Sequence, residues 1–521
     1  MKRSFLFLSL LMAAMLAFGG LAHAAEGGKT FRIAMASDPE SLDPHMQLSG
    51  PILAYSHWVF DPLVRWTPDM KFEPRLAEKW EQVNPTTVRF HLRKGVKFHS
   101  GNPMTAKDVA WTIDRLKKSQ DFKGLFVKFA EPKVVDDNTI DIITTEPYGL
   151  VMNLATYIFP MDSKFYSGKD DKGQDKDAVV KNGYSFANDH ASGTGPYAVE
   201  SREHGVKLVL KANKGYWGKR GNVDTIELTP IKNEATRVAA ILKGDVDFIS
   251  PVPVQDYDQL AKNNDVELIT MASARIITLQ MNQKRMPALA NPKVRQALIA
   301  ATDQAGIVAK VMKGYTTITL QQAPKGFAGY VSELKPRFDV EKAKKLMKEA
   351  GYENGFELTM IAPNNRYVND EKIAQAFVSM MAKINVKVNL KTMPKAQYWG
   401  EFDNQVADIQ MIGWHPDTED TANYSEYLLM TRNADKGLGE YNSGNYNNPE
   451  FDALIDAANR EIDPVKRDAL LQKSERIAYD DAAFIPLHLE PLSWAARKTV
   501  KNAKQVVNAQ DFPYFGDLMM Q

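Results

Sequence analysis

The stretch GFELTMIAPNNRYVNDEKIAQAFVSMMAKINVKVNLK (355–391) decides the fold class. Residues 356–362 (FELTMIA) alternate apolar and polar side chains, as a half-buried strand does. Ile373, Ala376, Phe377, Met380, Met381 and Ile384 then recur at helical spacing, and VKVNLK (386–391) returns to strict alternation. A strand, a helix and a second strand in immediate succession form a βαβ unit, so the two strands are expected to be parallel. The chain is therefore read as α/β.

Neighbouring segments extend this pattern. ADIQMIG (407–413) is a further strand, and YAVESREHGVKLVLKAN (197–213) reads as two strands. FRIAMASDPESLDPH (31–45) reads as a strand followed by a polar, proline-marked loop. EATRVAAILKG (234–244) is helical and ends on Gly244, a C-cap. PMTAKDVAWTIDRLKKS (103–119) is a helix capped by Thr105, with Asp108 in the capping-box position and Val109, Ile113 and Leu116 as its apolar stripe. VRFHLRKGVKFHSG (88–101) alternates around Gly95 and is expected to form a hairpin. Residues 167–182 are charged and read as a solvated loop. There is no internal repeat and no heptad pattern.

The length of 521 residues suggests about three domains' worth of core at roughly 150 residues each. Lys+Arg 65 against Asp+Glu 64 gives no basic excess for nucleic acid or an anionic membrane. Cysteine is absent, which excludes disulfides, thiol catalysis, thiolate metal sites and lipid attachment through an N-terminal cysteine. Lys2 and Arg3 precede an apolar run at 4–21, and Ala22-His23-Ala24 gives a small-x-small cleavage pattern. Residues 1–24 are thus expected to be a signal peptide, removed on export to the periplasm, with no lipid on the mature chain.

Enzyme chemistry finds no motif. G-x-S-x-G, H-E-x-x-H and Walker A sequences are missing. Gly193-Thr194-Gly195 followed by Ala198 formally satisfies a dinucleotide fingerprint, but Pro196 interrupts it and no strand precedes it. The nine histidines are scattered, with no pair at i, i+4 on a helix. The expectation is a protein without catalytic residues, metal or cofactor.

Several segments in order resemble the extracellular solute-binding proteins of family 5, the dipeptide- and oligopeptide-binding components of ABC importers. They are DPESLDPH (38–45), VFDPLVRW (59–66), PRLAEKW (74–80), VRFHLRKGVKFHSGNPMTAKDVAWTI (88–113), GTGPY (193–197), NKGYWG (213–218), GDVDF (244–248) and NPKVRQAL (291–298). The resemblance implies a periplasmic-binding-protein type II-like fold, α/β, with two lobes, a hinge and a subdomain inserted in the first lobe. Lobe I would comprise 25–68, 193–274 and 489–521, the insertion 69–192, and lobe II 275–488. The implied function is capture of a peptide or peptide-like amine-bearing solute and its delivery to an ABC permease, by a monomer that binds no nucleic acid. Members also carry metal chelates, haem, opines or oligosaccharides, and His415 keeps a chelate open. The rival from another class is a secreted hydrolase.

Ligands of open α/β sheets sit beyond the carboxyl ends of strands. Two loops meet that description, APNNRYVND (362–370) and GWHPDTEDTANY (413–424). The second resembles the family's G-W-x-x-D loop, which implies that Asp417 pairs with the ligand's ammonium. The alternative for Asp417 is a cap on the turn or on the helix that follows. Arg366 is the matching candidate for a ligand carboxylate, although the family's arginine falls nearer Asn364. Its alternative is a surface residue, or one paired with Asp370. Tyr367, Trp414, His415 and Tyr424 are expected around the pocket, with packing as the alternative for Tyr424, and Met46 and Gln47 are expected to contribute from lobe I. Relatives place an aromatic residue just before Tyr398, where this chain has Met393-Pro394-Lys395.

Overall fold

The computed structural model describes residues 28–181 and 183–521. The expected signal peptide lies outside the described residues. No described helix is long and apolar enough to cross a membrane.

The strands in chain order are β1 (Thr30–Met35), β2 (Val64–Trp66), β3 (Phe72–Pro74), β4 (Ala77–Asn84), β5 (Thr87–Leu92), β6 (Lys133–Asp136), β7 (Thr139–Ile143) and β8 (Tyr197–Glu203). There follow β9 (Lys207–Ala212), β10 (Thr225–Pro230), β11 (Phe248–Ser250), β12 (Val266–Met281), β13 (Phe356–Pro363), β14 (Val386–Met393), β15 (Ile409–Trp414) and β16 (Phe484–Arg497). Among the described residues one sheet runs β14-β13-β15-β12-β16-β11-β1-β10-β9-β8, and a second runs β4-β5-β7-β6.

The βαβ expectation holds. β13 and β14 pair in parallel from Phe356↔Val386 to Pro363↔Met393, and the helix Asp370–Met381 connects them. Ile373 and Phe377 pack with Met360 and Met411 in one apolar core. A separate core gathers Phe31, Trp58, Trp494 and Phe515, and a third lies on the four-stranded sheet around Phe90, Ile113 and Ile140.

The centre of the large sheet is made by two long strands. The first half of β12, Val266–Ala272, pairs with Pro491–Arg497, and Ile276–Gln280 pairs with Phe484–Leu489. The register breaks between Ala272 and Ile276. A break of this kind bends and twists a ladder locally.

The helix at 103–119 forms over Ala106–Leu116 with the expected Thr105/Asp108 capping box. Gly244 caps Glu234–Lys243 at φ 87°. The hairpin expected at 88–101 does not form. β5 is flanked by β4 on one edge and β7 on the other, so both its edges are taken. The segment after Gly95 turns instead, with one isolated bridge between Lys97 and Pro103.

The recognisable segments turn out to meet around buried charges. Asp61 accepts hydrogen bonds from Arg75 at 2.8 Å, Tyr216 at 3.0 Å, Trp217 at 2.8 Å and Thr194 at 3.2 Å. One carboxylate thus ties together 59–66, 74–80, 193–197 and 213–218. Arg115, on the capped helix, holds Asp43 through two hydrogen bonds of 2.7 and 2.6 Å, both side chains being buried. Gly193 and Gly195 are glycines because a Cβ would stand 2.1 Å from the Val59 carbonyl oxygen and 2.5 Å from the Val59 carbonyl carbon. These motifs specify architecture, since removing one partner leaves a buried charge unmatched.

Candidate ligand-binding site

A cavity of about 650 Å³ opens beside the register break in the β12–β16 ladder. Its wall is drawn from distant parts of the chain: Leu48 and Gly50 near the start, Arg275 on β12, Arg366 after β13, Trp414 to Asp417 after β15, and Glu490 to Asp511 on and beyond β16. A second chamber of about 550 Å³ adjoins it and shares Arg366, Glu490 and Asp511.

The loop after β15 is held from behind. Asn423 Oδ1 accepts from Trp414 Nε1 at 3.0 Å and from the Asp417 N–H at 3.2 Å. The Trp414 ring stacks on Tyr427 at 4.8 Å and lies 5.0 Å from Tyr441. Asp420, not Asp417, caps the helix Thr421–Leu428, accepting from Ala422 N–H at 2.8 Å. Asp417 therefore presents a half-buried carboxylate to the cavity, and it forms no ion pair among the described residues. Burial pushes its carboxyl up to about 6, against the pull of Arg275. A ligand ammonium brought against it would restore the ionised form.

The loop after β13 is built the same way. The Asp370 carboxylate accepts from the backbone N–H groups of Arg366 at 2.8 Å, Tyr367 at 3.0 Å and Glu371 at 2.9 Å. Asp370 thus binds the Arg366 backbone, and the guanidinium is left over. That guanidinium lies 4.8 Å from the Tyr367 ring centre, and its buried Nε finds no hydrogen-bond partner among the described residues. It lines both chambers.

His415 lines the cavity with a buried Nε2 that has no hydrogen-bond partner among the described residues. Burial, with Arg275 nearby, pushes its imidazole down to about 3, so it is neutral. Asp417, Trp414, His415 and Arg366 are thereby brought together. Tyr367 borders only the adjoining chamber, with its hydroxyl donating to the Gly413 carbonyl at 3.3 Å. Tyr424 takes its packing alternative: it is fully buried and donates to the Ala274 carbonyl. Met46 is buried at 4% exposure and lines neither chamber. Gln47 also stays off the wall, which takes Leu48 and Gly50 instead, at the start of the helix Gly50–Val59.

Sequence reasoning missed Arg275, Glu490 and Asp511. Arg275 forms an ion pair with Glu490, Nε to Oε2 at 2.9 Å, and the other oxygen of Glu490 accepts from Val368 N–H at 3.2 Å. Ser273 Oγ donates to the Glu490 carbonyl at 2.8 Å. This pair sits at the register break, so the positions expected for the chain crossings, near 275 and 489, were the available signal. Burial pushes the Asp511 carboxyl up to about 7. Trp399 supplies an aromatic wall from the helix after β14, one residue beyond the buried Tyr398.

Residues 71–436 match the family described as bacterial extracellular solute-binding proteins, family 5. The chain belongs to that family. It is 28% identical to the dipeptide-binding protein of Escherichia coli over 506 residues, covering 91% of each chain. It is 29% identical to heme-binding protein A of Haemophilus influenzae over 491 residues, covering 89% of this chain and 87% of the relative. Its fold matches the periplasmic binding protein DppA of Helicobacter pylori, solved with the peptide STSA, with a TM-score of 0.72, 23% identity, and coverage of 95% and 98%. The fold class is therefore the two-lobed α/β architecture of periplasmic binding proteins.

Proposed function

We propose that this protein captures a peptide or peptide-like amine-bearing solute between its two lobes and hands it to an ABC permease. The observation that carries the reading is the Asp417 carboxylate, which faces the cavity without an ion pair among the described residues and shares that cavity with a guanidinium, Arg366, equally without one. A zwitterion supplies both missing partners: its ammonium meets Asp417, and its carboxylate meets Arg366 in bidentate fashion. Trp414 and Trp399 add aromatic surface, in keeping with a pocket of apolar walls and few polar anchors. The binding of a dipeptide by the relative in Escherichia coli and of a peptide by the fold neighbour supports the same class of ligand.

Lobe I is assigned to 25–68, 193–274 and 489–521, the inserted subdomain to 69–192 and lobe II to 275–488. The break in the β12–β16 ladder and the Arg275–Glu490 pair supply the hinge. Closure completes the contacts from both sides, so ligand selects the closed form. No covalent step is assigned to any residue. Residues 1–24 direct export to the periplasm and are removed before Ala25, leaving an unlipidated monomer.

Native mass spectrometry on protein purified without denaturation tests this reading. The expected result is a retained amine-bearing peptide or peptide-like mass. Retained haem or a nickel chelate would support the second reading, which the unpaired Nε2 of His415 and the haem-binding relative favour. Steady hydrolysis of peptides or esters would contradict both.

A further inference from the structure

The loop that carries Asp417 is gripped from outside its own lobe. Asn153, in the inserted subdomain, donates through Nδ2 to the Thr418 carbonyl at 2.8 Å. Thr418 follows Asp417 directly. Just before Asn153, the Gly149 N–H donates to the Asn459 carbonyl at 3.3 Å. A Cβ on Gly149 would stand 2.4 Å from the Glu461 carbonyl oxygen and 2.8 Å from Arg467 Cδ, so this close approach needs glycine.

Two of the lobe II residues touched here brace the same loop. Asn459 Nδ2 donates to Glu426 Oε1 at 2.5 Å, on the helix Thr421–Leu428 into which the loop leads. Arg467 pairs with Asp420, the cap of that helix. The gripping segment is in turn stiffened within the insertion. Lys128 pairs with Glu146 at 2.9 Å and lies 4.8 Å from the Tyr148 ring centre. Thr156 Oγ1 donates to the Asn153 carbonyl at 2.6 Å.

The contact joins two separate apolar cores. Val151, Leu154 and Tyr157 belong to one, and Tyr424, Phe451 and Ile455 belong to the other. Relative motion is the default for units whose interface is not large and hydrophobic. Gly149 and Asn153 line neither chamber of the ligand site, so any effect they have on binding must travel through the loop.

We propose that residues 149–153 are a clamp through which the inserted subdomain positions the ligand loop, engaging lobe II in the closed form and releasing it in the open one. Asn153 is the positioning residue, acting on Asp417 through the Thr418 backbone. The proposal rests on the two-lobed reading above and gives the insertion a task in binding. Gly149 supplies a selective lever. Its φ lies outside the left-handed region, so alanine is compatible with its backbone and obstructs only the engaged clamp. A change that penalises one of two states shifts their populations by that penalty.

The test measures distances between spin labels on Val127→Cys, in the insertion, and Val465→Cys, in lobe II, residues 70% and 77% exposed. The chain has no cysteine of its own, so both labels are placed uniquely. The ligand-free protein is expected to show a short and a long distance population. Gly149→Ala should lower the ratio of short to long by at least about fivefold, as overpacking does. Asn153→Ala should lower it by about two- to tenfold, the worth of one ordinary hydrogen bond. The melting temperature of the ligand-free variants should stay at the wild-type value, and Asn153→Ala carries the test if Gly149→Ala does not fold. Adding the dipeptide Met-Leu should enlarge the short population in the wild type. A dipeptide without effect bears on the peptide reading alone, because the ligand-free distances still decide the clamp. Distances unchanged in both variants overturn the proposal. So does a lowered ligand-free melting temperature with the distances unchanged, which would make the contact a permanent interface.

Discussion

Asp417 and Glu419 stand two residues apart on one loop, and only Asp417 opens on the main cavity. Asp417 is half-buried, turned towards the main cavity, and only moderately perturbed, to about 6. Glu419 is buried at 4% exposure, and burial raises its carboxyl well above its usual range. Asp420, the next residue, is equally buried but lies against Arg467 and caps a helix. Three acids on four consecutive residues thus become a carboxylate open to a cavity, a buried carboxyl raised by desolvation and a structural tie. Hydration and the nearest cation decide which, not the residue type.

The largest expected effect tests the structural face. Arg467→Leu leaves Asp420 buried without its partner, which costs about 3–5 kcal/mol of stability. Chemical denaturation should show the midpoint falling with an unchanged slope. An effect below about 1 kcal/mol would show that Asp420 reaches water and would remove the contrast with Asp417.

The next effect belongs to the ligand face. Arg366→Leu should weaken peptide binding by about 1.5–3 kcal/mol, the value of a hydrogen bond to a charged group, or roughly 10- to 150-fold. Stability should change little, because the guanidinium forms no ion pair among the described residues and its side-chain contact is the Tyr367 ring. Calorimetry at one pH, with a parallel melt, separates the two. A large loss of stability with intact binding would return Arg366 to a packing role.

The pH dependence is smaller and has a fixed sign. Only the ionised Asp417 attracts an ammonium, and its free-protein value is about 6. Affinity for an amine-bearing ligand should therefore rise about tenfold between pH 5 and pH 7 and flatten above. The stability of the ligand-free protein runs the other way. A carboxyl raised in the folded state favours folding at low pH, and that contribution is lost as pH climbs from the ordinary carboxylate range through about 6. Asp417→Asn should therefore gain on the wild type in melting temperature between pH 4 and pH 7. An affinity that is flat from pH 5 to 7 would separate Asp417 from the amine.

Local pattern carried much of the fold. Phe356–Pro363, Asp370–Met381 and Val386–Met393 were legible because their periodicities are strong and their partners are close in the chain. The hairpin at 88–101 misled because alternation marks a strand without naming its neighbour, and β5 pairs with β7 some fifty residues on, as in Arg89↔Asp141. Asp417 and Arg366, read from loops that follow strand ends, do line the main cavity. Tyr424 misled because it sits on the buried face of its helix. Arg275, Glu490 and Asp511 come from segments that meet only when β12 and β16 pair, and no local spacing encodes that.

The central claim is that Asp417 holds the amine of the bound solute. Calorimetry on four combinations tests it most directly: wild type and Asp417→Asn, each with a peptide the protein retains and with its N-acetylated form. Breaking one partner of a buried charge pair costs about 2–5 kcal/mol, so either change alone should weaken binding by roughly 30-fold or more. The account predicts that both changes together cost little more than one, since they remove the same interaction. Additive losses would contradict it and show that the carboxylate and the amine do not meet.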